Sequence, residues 1–172
     1  IMRMARGEKN VLLSQPILYF GITSGTTGEQ KLIPATGSSL KVASGYMAVL
    51  SQRIMYKYFK KDYSYGRGMA LTDMLPAGKT EGGIPVCSAT SGGMRSIRRI
   101  IPLIWTSPAE VMELNDRDNF LYLNLLFGMR ERKLMYISGV FISSVLDMFR
   151  FLKEHWESLT EDIRRGKIST PR

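Results

Sequence analysis

The sequence predicts an α/β fold in which helices pack on a β-sheet. Short apolar runs with many β-branched and aromatic residues, such as PILYFGI at 16–22, have the length and composition of buried strands. Other segments carry apolar residues at helical spacing, for example at positions 40, 43, 47, 50, 54 and 58. Strands and helices alternate along the 172 residues, a usual length for one domain with a sizeable core.

The first half of the chain predicts one strand, one loop and one long helix. Residues 1–15 are expected to form a short helix or turn before the first strand. After the loop, KLIP at 31–34 is expected to be extended, because Pro34 disfavours helical geometry for the residue before it. A helix then follows with Thr36 or Ser38 as its N-cap, and its apolar stripe is expected to face the core.

The second half predicts further strands and three helices. The predicted strands are MALTDML at 69–75, GIPVCSAT at 83–90 and KLMYISGVF at 133–141, with SGGMRS at 91–96 as a turn. Ser107, Pro108 and Glu110 form a capping-box pattern that predicts the start of a helix. The remaining predicted helices are 116–129 and a long one from about Ser143, closed by Gly166 as the C′ residue.

The chain is basic, with a formal net charge of +9 and a pI near 9.8. Such a balance attracts anions, which include nucleic acid, acidic lipid and nucleotide phosphates. A nucleic-acid-binding module would need aromatic residues interleaved with arginines on one surface, and this pattern is not seen, so we expect no nucleic-acid partner. No apolar run is long enough to span a membrane, and the N-terminal residues lack a signal-peptide pattern, so we expect no membrane partner.

The single cysteine, Cys87, cannot form an internal disulfide, so a reducing, cytoplasmic setting is expected. Its neighbours indicate a small buried residue, because a catalytic thiol needs a lowered pKa and a nearby base. The only histidine, His155, lies in the last predicted helix. Neither a metal site nor a catalytic triad is therefore expected.

The stretch YFGITSGTTGEQKLIP at 19–34 carries the strongest candidate for chemistry. Its glycines permit tight turns and a close approach of a ligand to backbone N–H groups, and its hydroxyls and lysine add donors and charge. The residues concerned are Thr23, Ser24, Gly25, Thr26, Thr27, Gly28 and Lys31. They predict a phosphate-binding loop, and the alternative is a glycine-rich hairpin tip with no ligand.

Two familiar phosphate motifs do not fit this loop. The Walker A loop reads G-x-x-x-x-G-K-[ST] and runs into a helix. Here the spacing from Gly25 is G-x-x-G-x-x-K, Leu32 follows the lysine, and the next segment is extended. The Rossmann fingerprint G-x-G-x-x-G is also absent. The loop is therefore expected to link two extended segments as a flexible flap.

TSGTTGEQK resembles the signature loop of the adenylate-forming enzyme superfamily, which reads T-S-G-T-T-G-x-P-K-G, and departs from it at Gln30 and Leu32. KLIP instead resembles the loop of the auxin-responsive acyl-acid amido synthetases and their bacterial relatives, which runs S/T-S-G-T-S/T-x-x-x-x-K-x-[IM]-P. The last block closely resembles the same family, with FL-x-x-HW at 151–156 and I-R-x-G-x-[IL]-S at 163–169.

This resemblance implies an ATP-dependent ligase that uses Mg²⁺ and ATP to activate a carboxylic acid as an acyl-adenylate. The acyl group then passes to an amine, usually an amino acid. The resemblance implies that Thr23, Ser24, Gly25, Thr26, Thr27, Gly28 and Lys31 hold the ATP phosphates, with Lys31 as the catalytic charge. It also implies that Ser88, Thr90 and Ser91 line the acid pocket, although a plain strand-to-helix turn is the alternative for them.

The resemblance further implies that residues 1–172 are a single α/β fragment of the large N-terminal adenylation domain, without the C-terminal lid. In the family, the adenine, ribose and magnesium sites lie in later motifs. No metal ligand is therefore assigned here, and the fragment by itself is expected to be inactive. The alternatives are an acyl-CoA synthetase with coenzyme A as the acceptor and a catalytically inactive relative.

Overall fold

The computed structural model describes residues 1–23, 30–60 and 66–168. These residues divide into two compact units. The first unit comprises 1–23, 30–60 and 74–98, and the second comprises 66–73 and 99–168. Each unit has its own sheet and its own cluster of buried apolar side chains.

Strands and helices are mixed along the chain, as the sequence predicts. The strands are β1 (Ile17–Ile22), β2 (Leu32–Thr36), β3 (Met69–Leu71), β4 (Gly78–Lys79), β5 (Pro85–Ser88) and β6 (Ile137–Gly139). The helices are α1 (Met2–Ala5), α2 (Gly37–Val42), α3 (Ala48–Phe59), α4 (Ala89–Ser96), α5 (Ile101–Ile104), α6 (Ala109–Met112), α7 (Arg117–Arg130) and α8 (Ile142–Arg165). None of these helices is both long enough and apolar enough to cross a membrane.

The first unit is built on a four-stranded sheet in the order β2-β1-β5-β4. Strand β1 pairs antiparallel with β2 and parallel with β5, while β4 pairs antiparallel with β5. The strand predicted at 16–22 and the extended KLIP segment are thereby confirmed. Phe20 is fully buried and clusters with Met4 and Ala5 of α1. Its half-buried neighbours are Val11, Leu13, Ile17, Leu32, Ile84 and Val86.

The helical segment after β2 begins with a capping box at Thr36. The Ser39 N–H donates to the Thr36 hydroxyl at 3.3 Å, and the Thr36 N–H donates to the Ser39 hydroxyl at 2.9 Å. Of the two predicted N-caps, Thr36 is therefore the one used. A π-helical segment, Ala43–Met47, joins α2 to α3. The core-facing stripe predicted for this helix is wrong within the described residues, because the stripe residues Leu50, Ile54 and Tyr58 are exposed.

The second unit holds β3 and β6, which pair parallel with Met69 opposite Ile137 and Leu71 opposite Gly139. Helices α7 and α8 contact each other, and α7 contacts β3 while α8 contacts β6. The buried cluster is Met69, Leu71, Phe120, Leu121, Leu125, Leu126, Met148 and Leu159. MALTDML and GIPVCSAT were predicted as strands, and β3 and β5, which lie within them, belong to different sheets. Strand β3 pairs with β6, which lies much later in the chain.

The capping box predicted at Ser107 is wrong. The Ser107 side chain is buried and donates at 2.7 Å to Oδ1 of Asn124, whose own amide donates to the Phe120 carbonyl at 2.8 Å. Helix α6 consequently starts after Pro108 with no side-chain cap. The buried Ser107 hydroxyl and Asn124 amide have both lost their hydrogen bonds to water. Their mutual hydrogen bond therefore stabilises the fold more than a Ser107 cap on a four-residue helix would.

Helix α8 begins one residue before the predicted Ser143 and has no side-chain cap at its N-terminus. Its C-terminus agrees with the prediction, because Gly166 has φ 66° and ψ 24°. This left-handed conformation favours glycine, and the Gly166 N–H donates to the Ile163 carbonyl at 3.3 Å.

A buried hydrogen bond links α7 to α8. The Tyr122 hydroxyl donates to Oδ2 of Asp162 at 2.7 Å, and Asp162 is almost fully buried. Burial, followed by the hydrogen bond to the carboxylate, raises the pKa of Tyr122 to about 12. The phenol is therefore held in its neutral, donating form, which suits an ionised carboxylate as the acceptor.

Leu159 and Leu146 provide a matched test of the second unit's core, because they lie on the same helix. Leu159 is fully buried and Leu146 is exposed. Leu159→Ala should lower the free energy of unfolding by about 2–5 kcal/mol, whereas Leu146→Ala should change it by no more than about 0.5 kcal/mol. Urea unfolding followed by circular dichroism measures both, and equal losses would contradict this packing.

The Tyr122 hydrogen bond predicts a loss of stability at alkaline pH. The pKa of Tyr122 in the folded state, about 12, lies above the usual value of 10.0 for a tyrosine, so the folded state binds the phenolic proton more tightly. The contribution to stability should be fully present below about pH 10 and should disappear as the pH rises through 12. Urea unfolding from pH 9 to 12 should therefore show a steeper decline in the parent protein than in Tyr122→Phe. Parallel declines would rule out the coupling.

Candidate functional site

The base of the β1–β2 hairpin brings together the two described residues of the predicted phosphate loop. The Thr23 N–H donates to the Lys31 carbonyl at 3.3 Å, and the Lys31 N–H donates to the Thr23 hydroxyl oxygen at 3.3 Å. Because this oxygen acts as an acceptor, the hydroxyl proton of Thr23 remains available as a donor. The Lys31 side chain is exposed. The other predicted loop residues lie outside the described residues: Ser24, Gly25, Thr26, Thr27 and Gly28.

The parallel pairing of β1 and β5 places a second group of predicted residues at the same edge of the sheet. Ile22, directly before Thr23, lies opposite Ser88, the last residue of β5. The carboxyl ends of these two strands therefore coincide. In α/β sheets this is the edge where ligands generally bind, because the loops and helix N-termini that follow the strands meet there.

Ser88 is the N-cap of α4, which begins at Ala89. The Ser91 N–H donates to the Ser88 hydroxyl oxygen at 3.0 Å, and the Ser88 and Ser91 hydroxyl oxygens are 2.8 Å apart. The Thr90 hydroxyl lies 3.4 Å from that of Ser88. The sequence predicted a strand as far as Thr90 and a turn over 91–96. That is wrong, because the Ser88 cap starts a helix two residues earlier.

Close packing holds α4 against β1. A Cβ atom at Gly92 would lie 2.2 Å from Cε2 of the Tyr19 ring, so only glycine allows the present contact. Tyr19 is partly buried there, and burial is the main cause that raises the pKa of its hydroxyl. The adjacent Cys87 is fully buried, which confirms the predicted environment of this thiol.

Two cavities of the first unit lie elsewhere. One of about 490 Å³ lies beside α1 and is lined by residues that include Leu13, Pro16 and Ile84. The other is an open groove of about 570 Å³ along α3, lined by Arg53, Tyr56, Lys57 and Lys60. Neither of these two cavities is lined by Thr23, Lys31 or Ser88. Thr23, Lys31 and Ser88 thus lie at the sheet edge and not in these cavities.

The donors at the sheet edge suit an anion better than a cation. Thr23 offers a hydroxyl proton, Lys31 an ammonium group, and α4 the positive end of its helix dipole beside Ser88. Across the described residues no group of three or more His, Cys, Asp or Glu side chains is arranged to hold a metal ion. The groups at this edge are therefore hydrogen-bond donors and positive charges of the kind that can bind an anion.

Comparison with known proteins defines the class. Residues 1–172 match the GH3 family N-terminal domain, and the chain therefore belongs to the GH3 family. Its relatives include the "Probable indole-3-acetic acid-amido synthetase GH3.11" of Oryza sativa subsp. japonica, 34% identical over 178 residues. Another is the "Indole-3-acetic acid-amido synthetase GH3.5" of Arabidopsis thaliana, 31% identical over 182 residues. Each alignment covers 99% of this chain, but only 30% and 29% of the respective relative.

A solved structure agrees with these relatives. The structure described as "AtGH3.15 acyl acid amido synthetase in complex with 2,4-DB" matches 98% of this chain with a TM-score of 0.82 and 28% sequence identity. The match covers 30% of that protein. The α/β fold and the resemblance to the acyl-acid amido synthetases are both confirmed. The chain spans about 30% of the length of the relatives it matches.

Neighbouring glycines of α4 provide a test of the contact with β1. Gly92→Ala should lower the free energy of unfolding by about 1–3 kcal/mol, because the new methyl group overlaps the Tyr19 ring. No atom lies within 4 Å of the Cβ position at Gly93. Gly93→Ala should therefore raise stability by about 0.5–1 kcal/mol through better helix propensity. Thermal unfolding of both variants measures the difference, and a stabilising Gly92→Ala would contradict this packing.

Proposed function

We propose that the chain is part of an ATP-dependent ligase that activates a carboxylic acid as an acyl-adenylate and then transfers the acyl group to an amine. The observation that carries this proposal is the match of all 172 residues to the N-terminal domain of the GH3 family, together with relatives named as amido synthetases. In this proposal, residues 1–172 are one part of the large N-terminal adenylation domain. The acceptor is an amino acid or another amine.

The role that we propose for the β1–β2 hairpin is electrostatic. ATP, when bound, supplies the adenylyl group and releases pyrophosphate. Lys31 would hold the β- and γ-phosphates with its exposed ammonium group, and Thr23 would donate its free hydroxyl proton. The loop residues Ser24, Gly25, Thr26, Thr27 and Gly28 would add hydroxyl and backbone N–H donors. Donors aimed at the leaving pyrophosphate lower the barrier because negative charge develops there.

The role that we propose for the α4 N-terminus is to face the carboxylic acid. The Ser88 and Ser91 hydroxyls bond each other, so they would act mainly by holding the first turn of α4 in place. Thr90 is exposed, so its hydroxyl would contact the substrate. The positive end of the helix dipole favours a carboxylate beside it. A ligand held here would lie at the same sheet edge as Thr23, near enough for an acid to meet a nucleotide.

The groups that would hold adenine, ribose and Mg²⁺ are proposed to lie in the other parts of the family's longer chains. The compartment that we propose is the cytoplasm, because the single cysteine is buried and unpaired with another cysteine, as is usual in a reducing environment.

Lys31→Ala tests this proposal in the full-length protein. Removing the ammonium group should slow ATP–pyrophosphate exchange in the presence of the acid by about 100-fold or more. The matched control is Lys79→Ala, which removes the same charge from an exposed lysine on β4. That control should leave the exchange unchanged. Both variants should unfold at the same temperature as the parent protein, because neither lysine is buried.

Two results would count against the proposal. Equal exchange rates in Lys31→Ala and the parent protein would remove the phosphate role of Lys31. A full-length protein that shows no pyrophosphate exchange with any acid of a broad panel would indicate an inactive relative. The acceptor is tested separately by adding amino acids or coenzyme A to the pre-formed adenylate. A thioester product would show that coenzyme A, and not an amine, is the acceptor.

A further inference from the structure

A cavity of about 380 Å³ opens in the second unit, beside the C-terminal end of α7. Arg67, two residues before β3, places the cavity at the amino end of that strand. The side chains that define its chemistry are Arg67, Thr106, Pro108, Phe127, Arg130 and Glu131. Neither the sequence patterns nor the proposed adenylation chemistry assigns a role to them.

The charges in this cavity leave one positive charge unbalanced. The Arg67 Nε donates to Oε2 of Glu131 at 2.9 Å, and the side chain of Glu131 is only 16% exposed. The Lys133 N–H, followed by the Arg67 guanidinium, lowers the pKa of Glu131, so that this carboxylate stays ionised and neutralises Arg67. The Arg130 side chain has no hydrogen bond or ion pair with any described residue. The cavity as a whole therefore carries one net positive charge.

Thr106 in the cavity wall has an unsatisfied hydroxyl. Among the described residues, only the Thr106 hydroxyl and the Trp105 indole N–H are buried with no hydrogen-bond partner. The backbone around them is held firmly, since the Thr106 N–H donates to the Gly68 carbonyl at 2.9 Å. An unpaired buried hydroxyl beside a cavity is costly, and native structures usually satisfy such groups with a ligand or water.

We propose that this cavity binds a small monocarboxylate with an apolar body. The planar guanidinium of Arg130 can donate hydrogen bonds to both carboxylate oxygens. The single negative charge of the ligand would neutralise the net positive charge of the cavity. Thr106 would donate its hydroxyl proton to the carboxylate after rotation about its Cα–Cβ bond. Phe127 and Pro108 provide apolar walls for the body of the ligand. The site does not rest on the proposed adenylation function.

Benzoate is the probe for this site, and the indole N–H resonance of Trp105 is the local reporter. The resonance is assigned in the full-length protein by its loss in Trp105→Phe. Titration with benzoate should shift it to saturation, while the exposed Trp156 should show no such change. Trp105 directly precedes Thr106, which lines the cavity, and loss of the shift in the cavity variants ties the signal to this site.

Arg130→Gln should raise the dissociation constant reported by Trp105 about tenfold or more, because it removes a charge-assisted hydrogen-bonding pair. The control is Arg132→Gln, which removes the same charge two residues further along the chain. The Arg132 side chain is exposed and does not line the cavity. This control should bind benzoate like the parent protein. Thr106→Val should also weaken binding, yet should not lower the melting temperature of the ligand-free protein, because valine removes an unpaired hydroxyl.

Two outcomes would overturn the proposal. The first is the absence of a saturable Trp105 shift in the parent protein. If ligand-free Arg130→Gln then also has a lower melting temperature, a carboxylate of the protein itself occupies the cavity. The second is an equal loss of affinity in Arg130→Gln and Arg132→Gln, which would indicate non-specific attraction by the basic surface.

Discussion

The parallel pairing of β1 with β5 is the constraint on which the candidate site depends. It sets Ile22 opposite Ser88, so that the strand leading into the hairpin loop and the strand leading into α4 end together. The antiparallel pairing of β1 with β2 returns the loop to the same edge at Lys31. Without these two pairings, the hydroxyls and the lysine would be separate features of distant segments.

The contact between Gly92 and Tyr19 holds α4 closely against β1 at this edge. A helix can lie so close to a strand only where a side chain is missing, and α4 meets β1 at such a position. The Ser88 cap then fixes where α4 begins. A firm support of this kind is what functional loops generally require, because a ligand-binding loop is itself stabilised by few buried contacts. In the proposed adenylation function, the hairpin supplies the charge and α4 supplies the fixed wall.

Hydrogen bonds between residues that are far apart in the sequence decide which helix-capping patterns form a cap. Ser107 has a helix-capping pattern around it, yet its hydroxyl bonds to Asn124 in the core of the second unit. The residues around Ser88 do not form a capping-box pattern, yet Ser88 caps α4. In each case the polar side chain adopts the partner that leaves the fewest buried groups without a hydrogen bond. A sequence pattern can indicate that a serine is able to cap, but not that a buried amide competes for it.

The sequence by itself determined the features that depend on neighbouring residues. The extended segments on both sides of the loop, a helix start at Thr36 or Ser38, the span of α7 and the glycine at the end of α8 all follow from local backbone preferences. Family membership was also visible in the loop and in the last block. Only the tertiary structure decided which strands pair, that the apolar side chains of α3 are exposed, and that Arg130 and Thr106 share a cavity. The physical reason is that backbone preferences act over a few residues, whereas strand pairing, burial and side-chain hydrogen bonds join residues that are far apart in the chain.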